Sequence, residues 1–136
     1  MTESLHALIA YISWMLIILV TLGLYRSYLT LTGQHAANKY KPDGGDISPF
    51  SGRLCRAHAN CYEFFPIAGG LLLAALATNN TAITDPLATY FLAARILQSV
   101  VHMLSTSIIA VYARFAFFLG QIGICVIWII GFINLI

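Results

Sequence analysis

Apolar residues in this chain run together in four long blocks separated by short polar breaks, instead of alternating with polar ones. The first block, Leu5 to Tyr25, contains no Asp, Glu, Lys or Arg and has the ~20 residues that an α-helix needs to cross a bilayer. Its helix is expected to continue to Leu31-Thr32-Gly33-Gln34. Ala36 to Gly52, with Lys39, Lys41, Pro42, Asp43, Gly44, Gly45, Asp46 and Pro49, then reads as a solvated loop. The second block starts polar, Arg53 to Glu63, and is uncharged from Phe64 to Thr78, with Pro66 expected to kink or loosen it. Asn79-Asn80-Thr81 and Asp85 break the chain again, and Pro86 suits the first turn of a third helix. The third block has Arg95 as its one charge; the fourth opens with Arg114 and is uncharged after it. The pattern predicts a single transmembrane domain, residues 1–136, with helices at about 5–34, 53–78, 86–111 and 113–136.

Composition agrees with this pattern and narrows the function classes. Hydrophobic residues make up 60% and charged residues 9%, against roughly 45–50% and about 25% in soluble domains. So few charges cannot cover a water-facing surface, and the fold class is an all-α, integral-membrane four-helix bundle. Disorder, a disulfide scaffold and nucleic-acid binding are excluded, while a net charge of +2 says nothing about partners. Cys55, Cys61 and Cys125 lie in apolar segments and read as small packing residues. Cys55-x-x-His58-x-x-Cys61 lacks a fourth ligand, and on a helix its steps of three drift by about 60° each. No metal is expected. Lys39, Lys41, Arg53 and Arg114 flank the first and third connections, whereas the second has only Asp85. Both termini are therefore expected on the non-cytoplasmic side.

A charge inside a bilayer costs at least ~2.5–3.5 kcal/mol, so each one needs a reason. Arg53, Arg56, Asn60 and Glu63 follow spacings of three, four and three and share one stripe of the second helix; His58 points elsewhere. Arg95, Gln98 and His102 form a similar stripe on the third. At about 1.5 Å per residue, Glu63 and Arg95 reach nearly the same depth, which leads us to expect an intramembrane ion pair. Such stripes serve either as polar glue between helices or as a ligand site. Arg56, Asn60, His102 and Arg114 converge on the cytoplasmic third. Their forked donors, amide and imidazole suit a small anionic or zwitterionic, peptide-like molecule. Phe115, Phe117 and Phe118 read as lipid or helix contacts or as the wall of an apolar groove. Trp14 and Trp128 read as packing or lipid-facing residues.

The run Arg53-Leu54-Cys55-Arg56-Ala57-His58-Ala59-Asn60-Cys61-Tyr62-Glu63-Phe64-Phe65-Pro66 closely resembles the second-helix signature of the MAPEG family, membrane-associated proteins in eicosanoid and glutathione metabolism. Four spans, a basic first loop, an Arg in helix three and an Arg opening helix four extend the likeness over the chain. The resemblance implies a homotrimer embedded in membrane lipid, with glutathione as co-substrate bound between neighbouring subunits on the cytoplasmic side. By position it implies that Arg53, Arg56, His58, Asn60, Glu63, Arg95 and His102 bind glutathione. It also implies that Arg114 is catalytic, stabilising the thiolate that attacks a hydrophobic lipid or xenobiotic electrophile or a lipid hydroperoxide. In helix three the family often shows Arg-x-x-His-x-x-x-Tyr, where this chain has Arg95, Gln98 and His102. Two readings follow: a glutathione transferase or peroxidase, and a lipid-binding family member without catalysis.

Overall fold

The computed structural model describes residues 1–45 and 47–136; Asp46, part of the expected first loop, lies outside the described residues. Four long helices carry the chain: α1 (Glu3–Leu31), α2 (Pro49–Ala77), α3 (Asp85–Leu104) and α4 (Ile108–Ile133). A short 3-10 turn, Thr81–Ile83, precedes α3, and no strand occurs among the described residues. All four are long and apolar enough to cross a membrane.

Local chemistry sets where each helix starts and stops. Ser48 caps α2 by accepting a hydrogen bond from Ser51 N at 3.1 Å, and Pro49 opens the helix, so α2 starts a turn before Arg53. α1 stops at Leu31 and not near Gln34, because Gly33 takes a left-handed φ of 74°. There Gly33 N donates to Thr30 O and Gln34 N to Leu29 O, which satisfies the last carbonyls. Asn79, at φ 57°, ends α2 in the same way. The expected third helix over 86–111 is in fact shorter. It ends at Leu104, Ser105-Thr106-Ser107 forms the connection, and Ser107 caps α4 through Ala110 N. Arg114 therefore lies two turns inside α4 and not at its start. α2 continues as helix through Pro66.

α1 packs on α2 and α3, and α4 packs chiefly on α3. The core between them is aromatic. Phe91 of α3 meets Phe64 at 5.9 Å, Tyr11 at 6.0 Å and Trp128 at 5.5 Å between ring centres, and Trp128 is fully buried. Offset and tilted ring pairs of this kind add about 0.5–1.5 kcal/mol each beyond area burial. At one end of the bundle, the free N–H of Ser4 in the first turn of α1 donates to Asp85 Oδ1 at 2.8 Å, so a carboxylate sits at the positive end of a helix. The outward faces are apolar: Ile109, Tyr112, Leu119, Ile127 and Ile130 of α4 are all exposed.

Candidate functional site

The polar stripes of α2 and α3 meet α4 at a cavity of about 290 Å³, lined by Asn60, Gln98, His102, Val111, Arg114, Phe115 and Phe118. Each side chain arrives by helical spacing. Gln98 and His102 are four residues apart on α3, as Val111, Phe115 and Phe118 are three or four apart on α4, so each set shares a face. Phe118 packs edge-on against Phe64 at 6.0 Å, which fixes the apolar wall of the cavity. Phe115 remains half exposed toward the outside of the bundle.

Behind this wall is a second layer of polar side chains. Arg95 is fully buried and donates from Nη1 to Asn60 Oδ1 at 2.8 Å and to the Asn60 carbonyl at 3.3 Å. Its guanidinium lies over the Phe64 ring at 4.7 Å and near the Tyr11 ring at 5.8 Å, an aromatic bed that offsets part of the cost of burying a cation. Among the described residues its Nε and Nη2 meet no oxygen or nitrogen acceptor, and the Cys61 thiol lies beside the guanidinium. Gln98 is also buried and accepts at Oε1 from Gln121 Nε2 at 2.8 Å. Tyr11 donates to the Cys61 carbonyl at 2.7 Å, and Cys61 Sγ meets Ser99 Oγ at 3.0 Å.

Of the residues singled out from sequence, Asn60, His102 and Arg114 therefore share one cavity, and Arg95 supports it from behind. Arg53 and Arg56 line a neighbouring cavity of about 470 Å³ near the start of α2, with Asp43, Ser48 and Thr106. Arg53 is held there by a 2.9 Å bond from Nε to the Met103 carbonyl. Arg56 is exposed, within electrostatic range of both His102 and Arg114. His58 stacks on Tyr62 at 5.9 Å, away from the cavity. Glu63 is exposed on the outer face of α2. The expected Glu63–Arg95 ion pair does not form, because the face of α2 turned toward Arg95 carries Asn60.

Gln121 escaped the sequence reading. It stands seven residues after Arg114, two helical turns on, so the two fall on nearly the same face of α4. Extending the stripe by uncharged polar residues as well as charges would have found it.

The sequence matches the MAPEG family model over residues 4–134. The chain belongs to the MAPEG family. A search among curated proteins finds no match, and neither does a search among solved structures. As a MAPEG protein with four helices able to span a bilayer, it is a membrane protein. In this MAPEG chain the second-helix signature divides by function of position: Asn60 turns inward to the cavity, Arg53 and Arg56 line its neighbour, and Glu63 faces outward.

Proposed function

We propose that this MAPEG protein is a membrane-embedded glutathione transferase or peroxidase acting on hydrophobic electrophiles or lipid hydroperoxides. The observation that carries the reading is the convergence of Asn60, Gln98, His102 and Arg114 on one cavity whose remaining wall is Val111, Phe115 and Phe118. Polar donors on one side and aromatic rings on the other suit a reaction between a polar thiol peptide and an apolar partner. The cysteinyl end of glutathione fits a space of about 290 Å³. Its carboxylates extend toward Arg53 and Arg56, whose forked guanidiniums match them.

Arg114 is the residue assigned to the sulfur. A guanidinium beside a thiol favours the thiolate, and the thiolate is the nucleophile. In transfer, a sulfur–carbon bond forms as the leaving group departs with its electron pair. In peroxide reduction, the thiolate attacks one peroxide oxygen and the O–O bond breaks. The alcohol leaves with a proton, and a second glutathione converts the sulfenic acid to disulfide and water. His102 lines the same cavity and is placed to exchange a proton with the leaving oxygen.

Glu63, Arg56 and Tyr62 are exposed on a membrane-spanning helix of the protomer. A carboxylate facing hydrocarbon is costly, and a neighbouring copy covering that face relieves the cost. We assign this face to a homotrimer boundary, with His58 and Glu63 contacting the glutathione backbone there, the site on the cytoplasmic side and both termini on the other.

A second reading, a MAPEG protein that binds lipid without catalysis, is favoured by helix three, where Gln98 and His102 stand in place of the His and Tyr of the Arg-x-x-His-x-x-x-Tyr pattern. Titration of the detergent-purified protein with glutathione, followed by assays with an aromatic electrophile and a lipid hydroperoxide, separates the two. Binding with turnover is expected. Absence of binding at millimolar glutathione overturns the proposal, and binding without turnover favours the second reading.

A further inference from the structure

The amides lining the cavity have their orientation fixed by residues that do not touch it. Gln121 Nε2 lies 3.0 Å from the Phe117 carbonyl, a group that can only accept, so this atom must be the NH₂. The same nitrogen lies 2.8 Å from Gln98, so the Gln98 atom facing it must be the carbonyl oxygen. The Gln98 NH₂ is thereby left for the cavity. Asn60 on α2 is fixed in the same way. Arg95 can only donate, so the Asn60 atom 2.8 Å from its Nη1 is the oxygen, and the Asn60 NH₂ turns the other way. Among the described residues no group accepts from either NH₂, and neither nitrogen is sealed from the cavity. His102 Nδ1 is buried without a partner among the described residues, which leaves Nε2 as the nitrogen available to a ligand.

With Arg114, the wall then presents donors from three helices, Asn60 Nδ2, Gln98 Nε2 and the guanidinium, and among the described residues no carboxylate lines it. We propose that Arg95 and Gln121 are positioning residues that lock both carboxamides as donors, so that the cavity selects an anionic group, a thiolate or oxyanion, over its neutral counterpart. This deepens the proposed function and rests on it for the identity of the occupant, glutathione; the polarity of the wall stands without it. Each carboxamide acts through the hydrogen bond behind it. Were Gln98 free to turn over, its oxygen would face the anion and repel it.

The test measures binding of two probe pairs to the detergent-purified full chain by calorimetry. Glutathione sulfonate, anionic where glutathione carries its thiol, is compared with S-methylglutathione, neutral there. p-Toluenesulfonate is compared with neutral p-toluenesulfonamide, a pair that does not depend on the glutathione reading. In the wild type the anionic member of each pair is expected to bind about 10-fold or more tightly, the worth of a hydrogen bond to a charged group. Gln121→Leu and the closer volume match Gln121→Met, at a position that does not line the cavity, are each expected to erase that preference while leaving the neutral probes nearly unaffected; Gln121→Met keeps the test if Gln121→Leu does not fold. Wild-type protein that binds neither anion better than its neutral partner overturns the proposal. So does a preference that survives both Gln121→Leu and Gln121→Met, or a variant that weakens both members of a pair equally. A preference seen only with the toluene pair retains the donor wall and removes glutathione as the occupant.

Discussion

Arg95 donates to Asn60 Oδ1 at 2.8 Å and not to Glu63, which lies three residues further along the same helix. A buried cation in this bundle is therefore met by a neutral amide, two aromatic rings and the Cys61 thiol, and among the described residues by no carboxylate. The carboxylate at similar depth faces outward.

That arrangement fixes which residues are energetically coupled. In reversible unfolding of the purified protein, Asn60→Ala and Arg95→Gln are expected to be non-additive by about 1–3 kcal/mol, the penalty of a charged group losing its partner. Glu63→Gln and Arg95→Gln are expected to add to within about 0.5 kcal/mol. Coupling of Glu63 to Arg95 above that level would show that an ion pair exists.

The Gln98–Gln121 bond makes a similar claim about α3 and α4. Gln121→Leu leaves one end of the buried Gln98 amide without its partner, whichever way the amide turns, and is expected to cost about 1–3 kcal/mol. Replacing both residues by Leu removes both polar groups and is expected to cost less than the sum of the single changes. Thermal unfolding of the three variants checks this, and strict additivity would contradict it.

If Arg114 stabilises the thiolate, its loss falls on chemistry more than on binding. Arg114→Ala is expected to lower the turnover rate about 10²–10³-fold, as removal of a single electrostatic stabiliser does elsewhere. Glutathione affinity should change far less, and Arg114→Lys should recover part of the rate. Steady-state kinetics with an aromatic electrophile measures the split between kcat and KM; an effect confined to KM would reassign Arg114 to binding.

Phe115 is half exposed, so its truncation should cost little stability, within about 0.5 kcal/mol as for other surface changes. The same Phe115→Ala change is expected to raise KM for long-chain hydroperoxides while leaving KM for glutathione unaltered. Equal shifts in both would remove Phe115 from the apolar wall.

Much of the fold was legible because a bilayer leaves few alternatives: uncharged runs of spanning length become helices. The boundary between α3 and α4 was not, since Ser105-Thr106-Ser107 interrupts the helix without a charge, Gly or Pro to mark it. At the site, spacing put Gln98 and His102 on one face of α3, as the structure has them, but it also put Asn60 in one stripe with Arg56 and Glu63, which are exposed. Depth alone misled for Glu63. It stands about 60° around the helix from Asn60, enough to turn it from Arg95 to the protomer surface. Gln121 stayed hidden because an uncharged amide costs little in a hydropathy pattern, yet its partner Gln98 and the carbonyl of Phe117 set the polarity of the cavity.

In the proposed function, this cavity binds glutathione and holds its sulfur as thiolate beside Arg114. The ultraviolet absorbance of thiolate, followed as the purified protein is mixed with glutathione at neutral pH, tests it most directly. A thiolate signal that saturates with glutathione is expected in the wild type, with its loss in Arg114→Ala while glutathione still binds. A wild-type protein that binds glutathione without any thiolate signal, or an undiminished signal in Arg114→Ala, would contradict it.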